Sequence, residues 1–465
     1  MKCRIFFFGR SKQQEKLQDF FANDFERAAL VYGRRRVGKT ELLKHCLKKG
    51  TISSVYYECK ETSEENNISG VSEIIGDALA LPPLAFSSFE QVLEFLFRRA
   101  GESPLIFVLD EYPYLRRVIT GLDSIIQSLV DRYRSSSKLK LVLCGSYVEV
   151  MKSLLDEQNP LYGRSGLVLH LKAMDYYESS LFYSSFSSED KVRLYSVFGG
   201  IPYYNRLINP EKSVRENIIA LIASPGSRLE SEVIMYLKSE IQKMANAYVV
   251  FETLAKGYAK FADILSQSKV SSSPTLVDVL EKLIRMDVVK KTAPINDANN
   301  RKKAGYHICD QLTLFYFTYI YRNLSRLAVM DSDVFYDRFI EKDFEEQYVP
   351  RAFENVCTQF LIRKNQRKEL ADDFEKIGTY YFDDPRNHKN GEFDIVAEKD
   401  GKYVFYEAKF RKEPVDQNMI LKEIGQVENT GFDCARYGFF SRSGFSAIDE
   451  SLQKKLVLFD LNDMF

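Results

Sequence analysis

Residues Gly33 to Thr40 read Gly-Arg-Arg-Arg-Val-Gly-Lys-Thr, the spacing G-x-x-x-x-G-K-T, between an apolar run from Ala28 to Tyr32 and a helix-forming stretch from Thr40 to Lys49. A phosphate cradle needs a strand to deliver the chain, glycines that let backbone N–H groups turn inward, and a helix N-terminus aimed at the anion. All three are present. Gly33 and Gly38 take backbone angles that a side chain resists, and Arg34, Arg35, Arg36, Val37 and Glu41 complete the loop and the first helical turn. Lys39 can reach the β- and γ-phosphates as a point charge, and the Thr40 hydroxyl can ligate Mg²⁺. The plain alternative, a Gly-rich turn with a solvated arginine run, does not account for the flanking strand and helix.

A second run, Leu105 to Leu109, is continuously apolar, as a parallel strand covered on both faces is, and it ends in Asp110-Glu111. Ligands of such sheets bind beyond the carboxyl ends of the strands. Asp110 is therefore expected beside Thr40 in the Mg²⁺ shell, with Glu111 placed to orient or deprotonate an attacking water. The bland reading of Glu111 is an exposed acid starting a loop. Leu139 to Leu143 gives a third buried strand, ending in Cys144-Gly145-Ser146, where Ser146 is either a γ-phosphate sensor or a simple turn serine.

The 465 residues exceed one core and suggest about three domains. Hydrophobic residues at 45% and charged residues at 28% are ordinary for a globular chain. With 65 Lys plus Arg against 65 Asp plus Glu, no global positive field draws the chain to nucleic acid or anionic lipid, so such binding must come from local patches. The seven cysteines are scattered without a C-x-x-C pair, which reads as reduced thiols in a cytoplasmic protein. No apolar run approaches the roughly 18 residues of a membrane span, so no membrane partner is expected.

Along residues 1–172, strand-like and helical stretches alternate, the pattern of an α/β parallel sheet flanked by helices. The lead-in Ile5 to Arg10 is expected to be extended and to lie near a nucleotide base. Ser53 to Cys59 and Leu167 to Leu171 supply further strands. Residues 173–240 turn helical around a Gly/Pro break, Gly199-Gly200-Ile201-Pro202-Tyr203-Tyr204, which is either a lid reporting nucleotide state or a plain connection. Residues 241–327 read as a winged helix: three helices, the third from Ser273 to Met286, then a two-stranded wing around Asn296 to Lys303. Its tip carries Arg301, Lys302 and Lys303, which are either phosphate contacts or solvated charges.

Residues 328–465 hold the second chemical signal. Two β-rich runs flank Asp400-Gly401, a strong hairpin turn that pairs Lys399 with Lys402. Counting outward puts Asp394 opposite Glu407 and Glu392 opposite Lys409. Opposed carboxylates have Cβ atoms about 5 Å apart and repel unless a cation sits between them. Lys409 shares the face of Glu407, where an ammonium can stabilise a phosphorane or help deprotonate a metal-bound water. Hard oxygen ligands favour Mg²⁺ or Mn²⁺ over zinc. A surface hairpin with a solvated polar face is the plain alternative.

The Gly33 to Thr40 loop, Phe8-Gly9-Arg10 with Glu15, Leu109 to Leu115, Cys144-Gly145-Ser146, Pro160 to Arg164 and Gly199 to Tyr203 together resemble the archaeal-type ATPases of the STAND division of AAA-like P-loop NTPases, over about residues 1–325. The resemblance implies ATP as cofactor and Arg164 as a residue that contacts the γ-phosphate or couples it to the lid. The remainder resembles PD-(D/E)xK nucleases of the restriction-endonuclease type, a domain fused to many of these ATPases. Asp394, Glu407 and Lys409 match that pattern, Glu354 on a helix from Pro350 to Ile362 matches its helical acid, and Gln426 falls on the helix after the core strands. Glu392-Phe393 stands where the motif's proline would be, which leaves activity undecided. The implied function is an ATP-hydrolysing switch coupled to a Mg²⁺- or Mn²⁺-dependent nuclease-like domain acting on DNA, in defence or DNA maintenance. The rival reading is a signalling or scaffold ATPase whose last domain binds DNA or protein without cleaving. Oligomeric state stays open.

Overall fold

The computed structural model describes residues 7–241, 246–300, 302–384, 389–430, 432 and 434–465. Ile5 and Phe6 of the lead-in, and Arg301 of the wing tip, lie outside the described residues. The chain forms two compact units, Met1–Ala173 with Ile201–Tyr203, and Met174–Gly200 with Tyr204–Phe465.

The first unit is built on a five-stranded parallel sheet of β1 (Ala28–Tyr32), β2 (Ser53–Glu58), β3 (Leu105–Asp110), β4 (Leu139–Gly145) and β5 (Ser165–His170), in the order β2-β3-β4-β1-β5. Burial follows position. Every residue of the central strands β1, β3 and β4 is buried, whereas the edge strands β2 and β5 mix buried with exposed positions. This is the physical source of the unbroken apolar runs, since a strand covered by helices on both faces has no solvent side. The helix Phe89–Glu102 covers one face through Phe89, Val92, Leu93, Leu96, Phe97 and Ala100, which recur at helical spacing. Its Ser88 cap accepts a hydrogen bond from the Gln91 amide.

In the second unit, helix Ser188–Phe198 ends at Gly199-Gly200. A Cβ on Gly200 would lie 1.9 Å from the Met174 carbonyl oxygen, so close backbone approach alone requires a glycine there. Three helices, Ala247–Ala255, Phe261–Ser268 and Ser273–Arg285, precede an antiparallel hairpin of β6 (Val289–Thr292) and β7 (Gly305–Ile308). The hairpin loop is pinned to the rest of the unit, although Ala298, Asn299 and Lys302 at its tip stay exposed. The Ile295 amide donates to the Thr379 carbonyl (2.7 Å), and the Asn296 side chain clasps the backbone of Tyr381, donating to its carbonyl (2.8 Å) and accepting from its amide (3.1 Å). Lys303 pairs with Asp297 (2.9 Å) and lies 3.8 Å from the Tyr381 ring centroid, so it is committed within the protein and not held out to phosphate.

The unit's large sheet comprises β8 (Lys376–Asp384), β9 (Lys389–Lys399), β10 (Lys402–Lys409), β11 (Cys434–Ser441) and β12 (Leu456–Asp460), in the order β12-β11-β10-β9-β8. β10, β11 and β12 are parallel; β8 and β9 run antiparallel to their neighbours. Asp400 and Gly401 both have positive φ, 51° and 76°, as a two-residue hairpin turn demands. The register from Lys399–Lys402 to Ile395–Tyr406 is the one the turn predicts, and the ladder ends there, so Asp394 and Glu407 follow its last pair. The expected meeting of Glu392 with Lys409 does not occur. Glu392 lies 3.4 Å from Lys260, and Lys409 is bound by other acids. Helix Val349–Gln366 packs Phe353 against Phe410 and Phe360 against Phe440 and Phe459, while helix Gln417–Glu428 buries Ile420, Ile424 and Val427 in the cluster around Phe405 and Phe439.

Candidate functional site

β1 feeds directly into the phosphate loop. Gly33 has φ +154°, and a Cβ there would lie 2.1 Å from the Leu171 carbonyl oxygen. Gly38, at φ +94°, caps helix Lys39–Lys49 in the left-handed region. The Lys39 ammonium folds back on the loop, donating to the carbonyls of Gly33 (2.8 Å) and Arg34 (3.1 Å). Arg34 and Val37 are buried, Arg35 and Arg36 are exposed, and Glu41 sits in the first turn of the helix. The Arg36 guanidinium lies 4.1 Å from the ring centroid of Tyr203, and Arg10 donates to the carbonyls of Val37 (3.3 Å) and Lys172 (2.7 Å).

The acidic strand end meets this loop. Thr40 Oγ1 donates to Asp110 Oδ2 (2.7 Å), and the Tyr56 hydroxyl donates to the same oxygen. The Glu111 amide donates to Asp110 Oδ1 (3.0 Å). Tyr56 reaches Asp110 because β2 pairs with β3 in a register that sets Glu58 against Asp110, and Tyr56 lies two residues back on the same face. Burial first, and then the Asp110 charge, push the Tyr56 phenol far above its ordinary range, so it keeps its proton and acts as a donor. Glu111 adopts a left-handed backbone (φ 54°), and its Oε2 accepts from the Ser146 hydroxyl (2.8 Å) and amide (3.2 Å). Tyr56, Thr40, Asp110, Glu111 and Ser146 are thus linked in one hydrogen-bond network, and Lys39 with Gly33 and Arg34 forms a second set of bonds in the adjoining loop. Arg164 is not part of it. Its guanidinium grips Asp131 at 3.0 to 3.2 Å and donates to the carbonyls of Pro160 and Tyr162.

The second cluster lies in the large sheet of the other unit. Lys409 Nζ bonds Glu407 (2.7 Å) and Glu423 of helix Gln417–Glu428 (2.9 Å). Burial raises Glu354 to about 8, and the charges of Asp394 and Glu407 add to the effect. Burial also raises Asp394, helped by Glu392, although the residue reaches solvent. Glu407 is raised by burial against the opposing pull of Lys409. For Lys409 itself, burial acts downward, and Glu407 and Glu423 outweigh it to give a net rise. Among the described residues no three His, Cys, Asp or Glu side chains converge to hold a metal ion. Mutual repulsion keeps uncompensated carboxylates apart, and Lys409 occupies an oxygen of Glu407.

Residues 7–207 match the family described as an ATPase domain predominantly from Archaea. This part of the chain is similar to archaeal-type ATPase domains. Residues 316–422 match a family described as "Archaea bacterial proteins of unknown function". An uncharacterized protein of Methanocaldococcus jannaschii is 28% identical over 84% of this chain and 84% of its own length. A Walker-type ATPase of Pyrococcus abyssi is 20% identical, with a TM-score of 0.52 over 67% of this chain and 96% of that one, which shows a shared fold. The ORC2 protein of Aeropyrum pernix, solved in ADPNP and ADP complexes, is 14% identical, with a TM-score of 0.47 over 68% of this chain and 94% of that one.

Two participants escape a reading of motifs. Tyr56 of the ATPase domain has a weak signal, as the polar member of an alternating edge strand. Glu423 has none, because its tie to Lys409 links two elements that no local pattern relates.

Proposed function

We propose that this protein binds and hydrolyses ATP as a molecular switch, and that nucleotide state governs a nuclease-like C-terminal region acting on nucleic acid with Mg²⁺ or Mn²⁺. The observation that carries the ATPase reading is the contact of Thr40 with Asp110 beside Glu111 held by Ser146. Thr40 spends its proton on Asp110, which leaves its lone pairs for Mg²⁺, and Asp110 would complete the shell from the end of β3, one strand removed from β1. Bound ATP would draw Lys39 off the carbonyls of Gly33 and Arg34 and onto the β- and γ-phosphates. Glu111 would activate water, and Ser146 would hold Glu111 until the phosphate is in place. Arg164, committed to Asp131, has no part in this scheme without first leaving that pair.

Purified protein with Mg²⁺ is expected to hydrolyse ATP, and Lys39→Ala to abolish turnover. Unchanged turnover in that variant refutes the assignment.

In the second unit, the charges of Asp394 and Glu407 that act on buried Glu354 support a divalent cation that would draw these carboxylates together, with Lys409 stabilising the reacting phosphate. The helices and hairpin of residues 246–308 support a winged helix that serves as a spacer docked on the sheet. The tie of Lys409 to Glu423 favours a second reading, in which the region binds nucleic acid without cleaving it. Incubation with Mn²⁺ and plasmid or single-stranded DNA separates the two. Cleavage lost in both Asp394→Ala and Lys409→Ala supports the nuclease, and binding without cleavage supports the scaffold.

A further inference from the structure

Asp394 lines two separate concavities of the second unit. One is a cavity of about 620 Å³, which Asp394 and Glu354 share with Arg351, Lys290 and His307. The other is a slot of about 260 Å³ whose walls include Phe382, Phe393 and Phe405, with Glu407 and Gln426 also lining it. The carboxylates therefore stand where a polar hollow that carries Arg351 and Lys290 meets an aromatic one.

Arg351 precedes Glu354 by three positions on the same helix, so both project over one face. Arg351 is exposed and its charge acts on Glu354 without a close ion pair among the described residues, which leaves guanidinium N–H groups that can reach a phosphate. The cavity also holds acid in Asp343, but that carboxylate is engaged by the Tyr319 hydroxyl (2.6 Å). In the slot, the rings of Phe382 and Phe393 lie 4.7 Å apart at 32°, and Phe393 meets Phe405 edge-on at 4.9 Å. Phe382 and Phe393 are only half-buried, so a planar guest can lie against them.

We propose that the nucleic acid handled at this site is single-stranded: a phosphate binds Arg351 and Lys290 in the larger cavity, the adjoining base stacks in the slot on Phe393 and Phe382, and the linkage between them crosses Asp394. The proposal rests on the nuclease-like reading and names its substrate class. A base inside a duplex is stacked on both sides and cannot enter a slot of one-nucleotide size, whereas an unpaired strand offers base and phosphate to the two hollows separately.

The test uses the full-length chain and labelled oligonucleotides, as single-stranded DNA, single-stranded RNA and blunt duplex DNA of one sequence, with Mn²⁺. Anisotropy reads binding and gel electrophoresis reads cleavage. Single strands are expected to bind at least tenfold more tightly than duplex, the DNA and RNA arms identifying which polymer is preferred. Phe393→Leu, which keeps the bulk and removes the π-face, is expected to weaken single-strand binding about tenfold or more. Arg351→Ala is expected to make binding less steeply dependent on salt. Equal affinity for duplex and single strand, or unchanged single-strand binding in both variants, overturns the proposal. Absence of cleavage with single-strand preference intact removes the nuclease and keeps the binding mode.

Discussion

Tyr56 and Thr40 donate to one oxygen of Asp110, so the carboxylate proposed to face Mg²⁺ is fixed by two hydroxyls from two different elements. Partners of metal ligands hold them in orientation, and losing one weakens metal affinity by about 10- to 100-fold. Tyr56→Phe should therefore raise the Mg²⁺ concentration for half-maximal ATP hydrolysis, while KM for ATP at saturating Mg²⁺ stays near wild type. A Mg²⁺ titration of steady-state turnover checks this, and an unchanged midpoint denies Tyr56 the role. Glu354 gives a second test at this scale. Its carboxyl is raised from an ordinary 4.5 to about 8, so between those values the folded chain holds a proton that the unfolded chain has released. Stability contributed by this group is complete below 4.5 and is lost as pH climbs towards 8. Melting temperature of the metal-free protein should fall across that window, and Glu354→Gln should flatten the fall. Mn²⁺ should then stabilise wild type more at the upper end than at the lower. Asp110, Glu111 and Ser146 could be read from the sequence because each ends a buried strand, which fixes both position and direction. Tyr56 could not, because its role depends on which strand lies beside β3.

Elements were legible wherever one local rule decided them. The unbroken apolar runs located β1, β3 and β4, and the Asp400-Gly401 turn gave the β9–β10 register as far as the ladder extends. Beyond Ile395 the pairing ends, and the counted match of Glu392 with Lys409 gave way to Lys260 on one side and Glu423 on the other. The docking of the β6–β7 hairpin was illegible for a similar reason: Asn296 meets Tyr381 across 85 residues, and a polar hairpin tip reads the same whether solvated or clasped. Asn296→Ala removes both side-chain bonds to the Tyr381 backbone. Hydrogen exchange at the Tyr381 amide should quicken in that variant while the amides of β1, β3 and β4 keep wild-type protection. Unaltered exchange at Tyr381 would show that the Ile295–Thr379 bond alone holds the hairpin in place.

At the scale of the molecule, the two chemical signals fall in different compact units, and only the first carries a family description with a named activity. The ATPase domain was the more legible because its chemistry is local to strand ends, whereas the acidic cluster draws on residues from 354 to 423 and its ion pairs had to be seen. The hairpin's grip on β8 also bears on how the chain behaves in company. β8 is the outermost strand on its side of the sheet, and Ile295 with Asn296 occupies hydrogen-bonding groups there that would otherwise face solvent. Bare strand margins recruit other chains. A fragment beginning at Asp310 lacks the guard, and it should self-associate with rising concentration in sedimentation velocity, with Thr379→Lys reversing the effect. The hairpin whose charged tip suggests a reader of nucleic acid is thus placed to shield its own sheet from polymerisation.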